Sequence, residues 1–252
     1  MKTSTEQALA KVPEVTLSFW LIKIAATTLG ETGGDAVSMS MNLGYLVGTG
    51  IFAVTFLAAV IAQIKAKGFH SFLYWTTIIA TTTVGTTLAD FADRSLGFGY
   101  AGGSALLLAL LLGSLFVWHR TLGSVSVNTV SSPGAEAFYW LTIMFSQTLG
   151  TALGDWTADT AGLGYTGAAV VFGGLLAVVA AAYYWTTASR TVLFWAAFIL
   201  TRPLGAVVGD FLDKPHSAGG MALSRYSASA TLLAFMLIAI LTFRQRPARK
   251  AH

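Results

Sequence analysis

The segment Trp20-Leu21-Ile22-Lys23-Ile24-Ala25-Ala26-Thr27-Thr28-Leu29-Gly30-Glu31-Thr32-Gly33-Gly34-Asp35 decides the fold, because its tryptophan, glycine and aspartate return three more times at fixed distances. Trp20, Trp75, Trp140 and Trp195 each stand ten residues before a glycine (Gly30, Gly85, Gly150, Gly205) and fifteen before an aspartate (Asp35, Asp90, Asp155, Asp210). Three copies add a Gly-Tyr pair at a common offset: Gly44-Tyr45, Gly99-Tyr100 and Gly164-Tyr165. Gapless matches of this kind identify a tandem repeat. The fourth copy drifts, with Gly219-Gly220 in place of Gly-Tyr and Arg202-Pro203 where the others read Thr27-Thr28, Thr82-Thr83 and Gln147-Thr148. Terminal repeats often depart from the pattern.

The 252 residues are 55% hydrophobic and only 10% charged, against about 25% charged in ordinary soluble domains. Long apolar blocks at 51–62, 105–118, 168–185 and 228–243, with their flanks, match the ~20 residues a helix needs to cross a ~30 Å hydrocarbon core. These features exclude a soluble globule and predict an all-α membrane protein. The absence of cysteine excludes disulfides, thiolate metal sites and thiol nucleophiles. Residues 1–15 are polar, do not resemble a secretory signal, and are expected to be a cytoplasmic segment.

Trp20 to Trp75 and Trp140 to Trp195 are both 55 residues apart, whereas Trp75 to Trp140 is 65. The excess falls in 121–134, a Ser/Val/Pro/Gly stretch expected to link a first half (16–120) to a second (135–244), with a basic tail at 245–252. Each repeat predicts two helices joined by a Gly- and Asp-containing turn. The first helices are expected near 16–36, 71–92, 136–157 and 191–211, and the second near 46–65, 100–119, 165–186 and 222–243. The expectation is therefore eight transmembrane helices from four parallel two-helix repeats. Lys2, Lys11, Lys65, Lys67, Arg120, Arg190, Arg244, Arg246, Arg249 and Lys250 fall at the termini or between repeats, and only Arg94, Lys214 and Arg225 lie in the turns within them. By the positive-inside rule both termini are cytoplasmic.

The arrangement, with Lys11-Val12-Pro13-Glu14-Val15-Thr16, Phe19-Trp20, Thr27-Thr28-Leu29-Gly30-Glu31-Thr32 and Asp35 repeated in later copies, resembles a family of uncharacterised bacterial membrane proteins defined by a four-times-repeated unit of unknown function. The resemblance covers essentially the whole chain. It implies this topology and a bacterial inner-membrane location, and carries no activity with it.

Eight of the eleven acidic residues lie at the ends of the first helices or in the turns that follow: Glu31, Asp35, Asp90, Asp93, Asp155, Asp159, Asp210 and Asp213. Charges so close to a membrane interior are costly and need a reason. Parallel copies around a common axis bring Asp35, Asp90, Asp155 and Asp210 to one depth, where mutual repulsion favours a bound metal cation or a shared proton. Thr28, Thr83 and Thr148, about two turns earlier, are candidate oxygen ligands. The alternative is local: aspartates capping the second helices and threonines bonding their own backbone. Arg202, inside a span, requires a carboxylate or anionic partner, and Glu31 qualifies if the first and fourth repeats touch. Lys23 is expected to snorkel to the cytoplasmic face, and the tryptophans and Tyr45, Tyr100 and Tyr165 to form interfacial belts. No histidine recurs at a repeated offset, so haem and His-metal sites are not indicated, and no cofactor is expected.

These features favour a transporter of a small hard cation, with a divalent metal such as manganese as a candidate, over two rivals: a four-fold cation channel, and a non-transporting membrane enzyme or scaffold. An enzyme is disfavoured because the acids are spread evenly rather than clustered. The expected partners are membrane lipid and a small cation or proton, with self-association left open and no nucleic acid.

Overall fold

Eight helices follow one another in the computed structural model, which describes residues 10–248: α1 (Leu17–Asp35), α2 (Gly44–Lys65), α3 (Ser71–Asp90), α4 (Tyr100–Leu122), α5 (Pro133–Asp155), α6 (Gly164–Trp185), α7 (Arg190–Asp213) and α8 (Arg225–Thr242). Their bounds lie within a few residues of those expected from the repeat. Most of the N-terminal segment, and Lys2, Arg249 and Lys250 used for orientation, lie outside the described residues. Five helices (α2, α4, α6, α7 and α8) are long and apolar enough to cross a membrane. The chain is an all-helical, multi-pass membrane protein.

The threonine- and glycine-rich first helix of each repeat goes inside. α1, α3, α5 and α7 form a closed ring, each packed on the next and α7 packed on α1. The apolar second helices lie outside it, each covering the first helix of the following repeat: α2 on α3, α4 on α5, α6 on α7, and α8 back on α1. Their outer faces carry exposed Val54, Leu106, Val170 and Ile238.

Two contacts repeat around the ring and explain the periodic residues. A Cβ on the glycine ten after each tryptophan would collide with the residue seven after the next tryptophan: Gly30 with Thr82, Gly85 with Gln147, Gly150 with Arg202, and Gly205 with Thr27. Only a residue without a side chain lets the backbones come this close. At one end of the ring, the aromatic preceding each tryptophan packs on the next repeat's tryptophan, with centroid separations of 5.4 Å (Phe19–Trp75), 5.7 Å (Tyr74–Trp140), 6.2 Å (Tyr139–Trp195) and 5.8 Å (Phe194–Trp20).

This corrects the expectation of a tryptophan belt. Trp75, Trp140 and Trp195 are buried, because they sit on inner helices and face a neighbouring repeat rather than the headgroups. Of the tyrosines, Tyr165 is buried against Ala168, Phe172 and Val207, and Tyr45 and Tyr100 are half-buried.

The turn glycines are conformational. Gly44, Gly99, Gly164 and Gly219 all have positive φ, at 77°, 73°, 62° and 86°, a region that glycine enters without steric cost. Gly219 stands at the same offset as the others, so the fourth repeat keeps the turn although it has lost the tyrosine.

The tryptophan end is capped by three segments that lie outside the eight helices, the middle one containing a short 3-10 turn at Val127–Thr129. Lys11 N–H donates to Val130 O (2.9 Å), Glu14 N–H to Arg246 O (2.8 Å) and Ala248 N–H to Val12 O (2.8 Å), so both ends of the described chain meet there. Val12, Val127 and Val130 join the aromatic core. The segment at 121–134 is shorter than expected, since α4 runs to Leu122 and Pro133 opens α5. It joins repeats within one ring, because α3 packs on α5 as α1 does on α3.

Candidate functional site

The fifteen-residue offset places Asp35, Asp90, Asp155 and Asp210 at the last turns of the four inner helices, all 3% exposed or less. Each is paired with a basic side chain of the protein. Arg94 joins Asp90 (2.8 Å) to Asp155 (3.3 Å). Lys214 joins Asp35 (2.5 Å) to Asp210 (3.0 Å). Arg225 adds a third cation, 3.0 Å from Asp213 and 3.7 Å from Asp35. The two bridges span the seams between repeats two and three and between repeats four and one.

Carboxylate oxygens of Asp35, Asp210 and Asp213 lie within 4.8 Å of one another. That is the one group among the described residues able to gather three carboxylates on a metal ion. Asp93 is half-buried, its carboxylate against Gly103 of α4, and Asp159 is exposed, so neither joins the group.

Nearer the middle of the inner ring lies a second polar layer. Arg202 is fully buried and its Nη2 reaches Glu31 Oε2 (3.0 Å), Thr86 Oγ1 (2.6 Å) and Thr151 Oγ1. Glu31, Thr86 and Thr151 all stand eleven residues after their tryptophans, and the fourth such position is Ala206. One guanidinium from the fourth repeat thus contacts the equivalent residue of each of the other three.

Thr28, Thr83 and Thr148 are not brought to the aspartates. Their hydroxyls donate to the carbonyls of Ile24 (3.0 Å), Ile79 (2.7 Å) and Met144 (3.0 Å), one turn back in their own helices, the local alternative weighed above. Lys23 does not snorkel. It is fully buried, its Nζ 4.2 Å from the ring centroid of Phe198, because α1 lies inside the bundle and the Lys23 side chain meets α7 instead of a headgroup.

A family model described as "Repeat of Unknown Function (DUF347)" matches residues 18–69, 73–124, 138–189 and 193–247. The chain belongs to this family. Each match of the family repeat opens two residues before one of the four tryptophans and takes in one inner and one outer helix. No curated protein and no solved structure matches the chain significantly.

Arg94, Lys214 and Arg225 were legible in the sequence only as turn residues that bear on orientation, not as partners of the aspartates, and Thr86 and Thr151 were not singled out at all. Arg94 and Lys214 each stand four residues after a repeat aspartate, but in the second and fourth repeats only. Comparing Glu31 with the same offset in other copies points to Thr86 and Thr151.

Proposed function

We propose that the protein is a carrier of a small cation, with a divalent metal such as manganese as the candidate class, and that all eight helices cross the bacterial inner membrane with both termini cytoplasmic. α1, α3 and α5 have 19 to 23 residues, roughly 28–35 Å at 1.5 Å per residue. They are enclosed by apolar helices, so their polar residues need not face lipid.

One observation carries the reading. Every acid on the inner helices is held by a positive group of the protein's own, which makes these sites shaped for positive charge and filled by tethered side chains. At the Asp end five carboxylates (Asp35, Asp90, Asp155, Asp210, Asp213) face three basic groups (Arg94, Lys214, Arg225). The surplus of two negative charges suits one divalent cation or two protons. An incoming cation would compete with Lys214 for Asp35, Asp210 and Asp213, hard oxygen ligands of the kind that hold such ions.

A channel fits less well, since Arg202 and Lys23 place positive charge within the inner ring and a packed aromatic layer closes one end. Lipid is the natural partner of the exposed apolar outer faces.

The test is cation flux into vesicles reconstituted with the wild type and with Asp35→Asn, Asp90→Asn, Asp155→Asn and Asp210→Asn singly. Saturable, proton-linked uptake that falls in these variants supports the carrier. Unitary currents in a planar bilayer would establish the channel instead, and undiminished flux in all four variants would remove the aspartates from the mechanism.

A further inference from the structure

The layer on the tryptophan side of Glu31 has a surplus of hydrogen-bond donors. The residues seven after each tryptophan are Thr27, Thr82, Gln147 and Arg202, all fully buried. Of these, Thr82 Oγ1, both amide atoms of Gln147, and Nε and Nη1 of Arg202 have no hydrogen-bond partner. One turn nearer the tryptophans, Lys23 Nζ is equally buried and equally without a hydrogen-bond partner, and it lies against the ring of Phe198, one helical turn before Arg202 on α7. Ser146 Oγ, beside Gln147 in sequence, is in the same state.

A buried polar group left without a partner forfeits its hydration with nothing in return. So many in one stretch of the inner helices indicate an occupant rather than scattered defects. The chemistry of the free groups indicates its sign. Two basic side chains, Lys23 and Arg202, share this stretch with one acid, Glu31, so N–H donors outnumber acceptors, and an anion would both accept from them and hold Lys23 in its ammonium form. Water supplies acceptors but no charge.

We propose that Lys23, Arg202 and Gln147 form a buried site for a small inorganic anion of the halide or nitrate class. The ion accepts hydrogen bonds from the Lys23 ammonium, from the unpartnered Nη1 of Arg202 and from the amide N–H2 of Gln147, while Nη2 of Arg202 stays with Glu31. Arg202 and Gln147 hold equivalent positions on adjacent inner helices, their stems against Gly150 and Gly85. The drift of the third and fourth repeats from threonine at this offset thereby acquires a purpose. The site is separate from the aspartate cluster and does not depend on cation transport.

The experiment is thermal unfolding of the purified protein in lipid nanodiscs, in gluconate buffer at constant ionic strength, titrated with chloride, bromide or nitrate. The expected result is a saturable rise in melting temperature that is lost in Lys23→Met and retained in Arg120→Gln, an exposed control. A melting temperature indifferent to the anion, or an equal rise in Lys23→Met, would overturn the site and leave buried water, a neutral amine or adventitious surface binding. Should Lys23→Met not fold, wild-type crystals soaked in bromide decide the matter. An anomalous peak between Lys23 and Arg202 is expected, and its absence at full occupancy of the soak overturns the proposal.

Discussion

Arg202 Nη2 lies 3.0 Å from Glu31 Oε2, joining residues 171 apart in the chain and fastening the fourth repeat to the first. Both side chains are buried. The departure of the fourth repeat from threonine at this position is therefore part of the ring's closure. A threonine here, as in the first two repeats, would leave Glu31 as an uncompensated acid among helices.

The pair is expected to behave as a unit. Arg202→Met or Glu31→Gln alone strands a buried polar partner and should lower stability by about 3–5 kcal/mol, whereas an apolar replacement of both should recover much of the loss. Denaturant unfolding of Arg202→Met, Glu31→Gln, Glu31→Leu and the double variant Arg202→Met/Glu31→Leu checks this, the cycle being closed by Glu31→Leu. Strict additivity of the single losses would show that the two side chains are not coupled.

Close helix approach predicts a division among the glycines. Gly30→Ala places a methyl against Thr82, with Oγ1 at 2.7 Å and Cβ at 2.9 Å, and should be strongly destabilising, partly rescued by Thr82→Ala. Gly113→Ala, in α4 with nothing within 4 Å of the new atom, should be neutral or stabilising by up to about 1 kcal/mol from helix propensity. Melting temperatures of the three variants, measured in one detergent, are the check.

The repeat was legible because each copy must present the same surface to the next. Trp75 has to fit Phe19 as Trp140 fits Tyr74, so tryptophan, glycine and aspartate stay in register and helix bounds follow from them. What the spacing did not reveal was the partner on the other side of each contact. A tryptophan near a helix end looks the same in sequence whether it faces headgroups or a neighbouring helix, and so Trp75 and Trp140 were expected at the interface. The threonine content of α1, α3 and α5 was the signal that these helices lie inside. The pairing role of Arg94 and Lys214 was not legible because they occur in alternate repeats, and a four-fold comparison averages them away although each neutralises two of the four-fold aspartates.

Burial of the aromatic layer sets a further expectation. Trp140→Ala, deleting a side chain 2% exposed between Tyr74 and Tyr139, should cost about 3–5 kcal/mol. Trp185→Ala, at 83% exposed, should cost within about 0.5 kcal/mol. Tyr74→Phe removes one side of the 2.6 Å Tyr74–Tyr139 hydroxyl contact and should cost about 1 kcal/mol. Chemical unfolding of the three proteins separates these cases. Equal losses for Trp140 and Trp185 would mean that the aromatic layer is not a packed core.

Lys214 holds Asp35 and Asp210 together at the far end of the same ring, and its removal makes the cation-site reading testable without any transport assay. In Lys214→Met, the three carboxylates of Asp35, Asp210 and Asp213 keep Arg225 as their one directly paired cation among the described residues. Their repulsion should lower stability, and an added divalent cation should restore it by binding where the ammonium was. The variant should therefore gain more in melting temperature from manganese or magnesium than the wild type, in which the metal must first displace Lys214. The same variant carrying Asp35→Asn should lose most of that gain, since one of the three ligands and one negative charge are gone. Metal titrations followed by tryptophan fluorescence compare the three proteins directly. A gain no larger in Lys214→Met than in the wild type would mean that the tethered ammonium is a structural staple and does not stand in a cation's place.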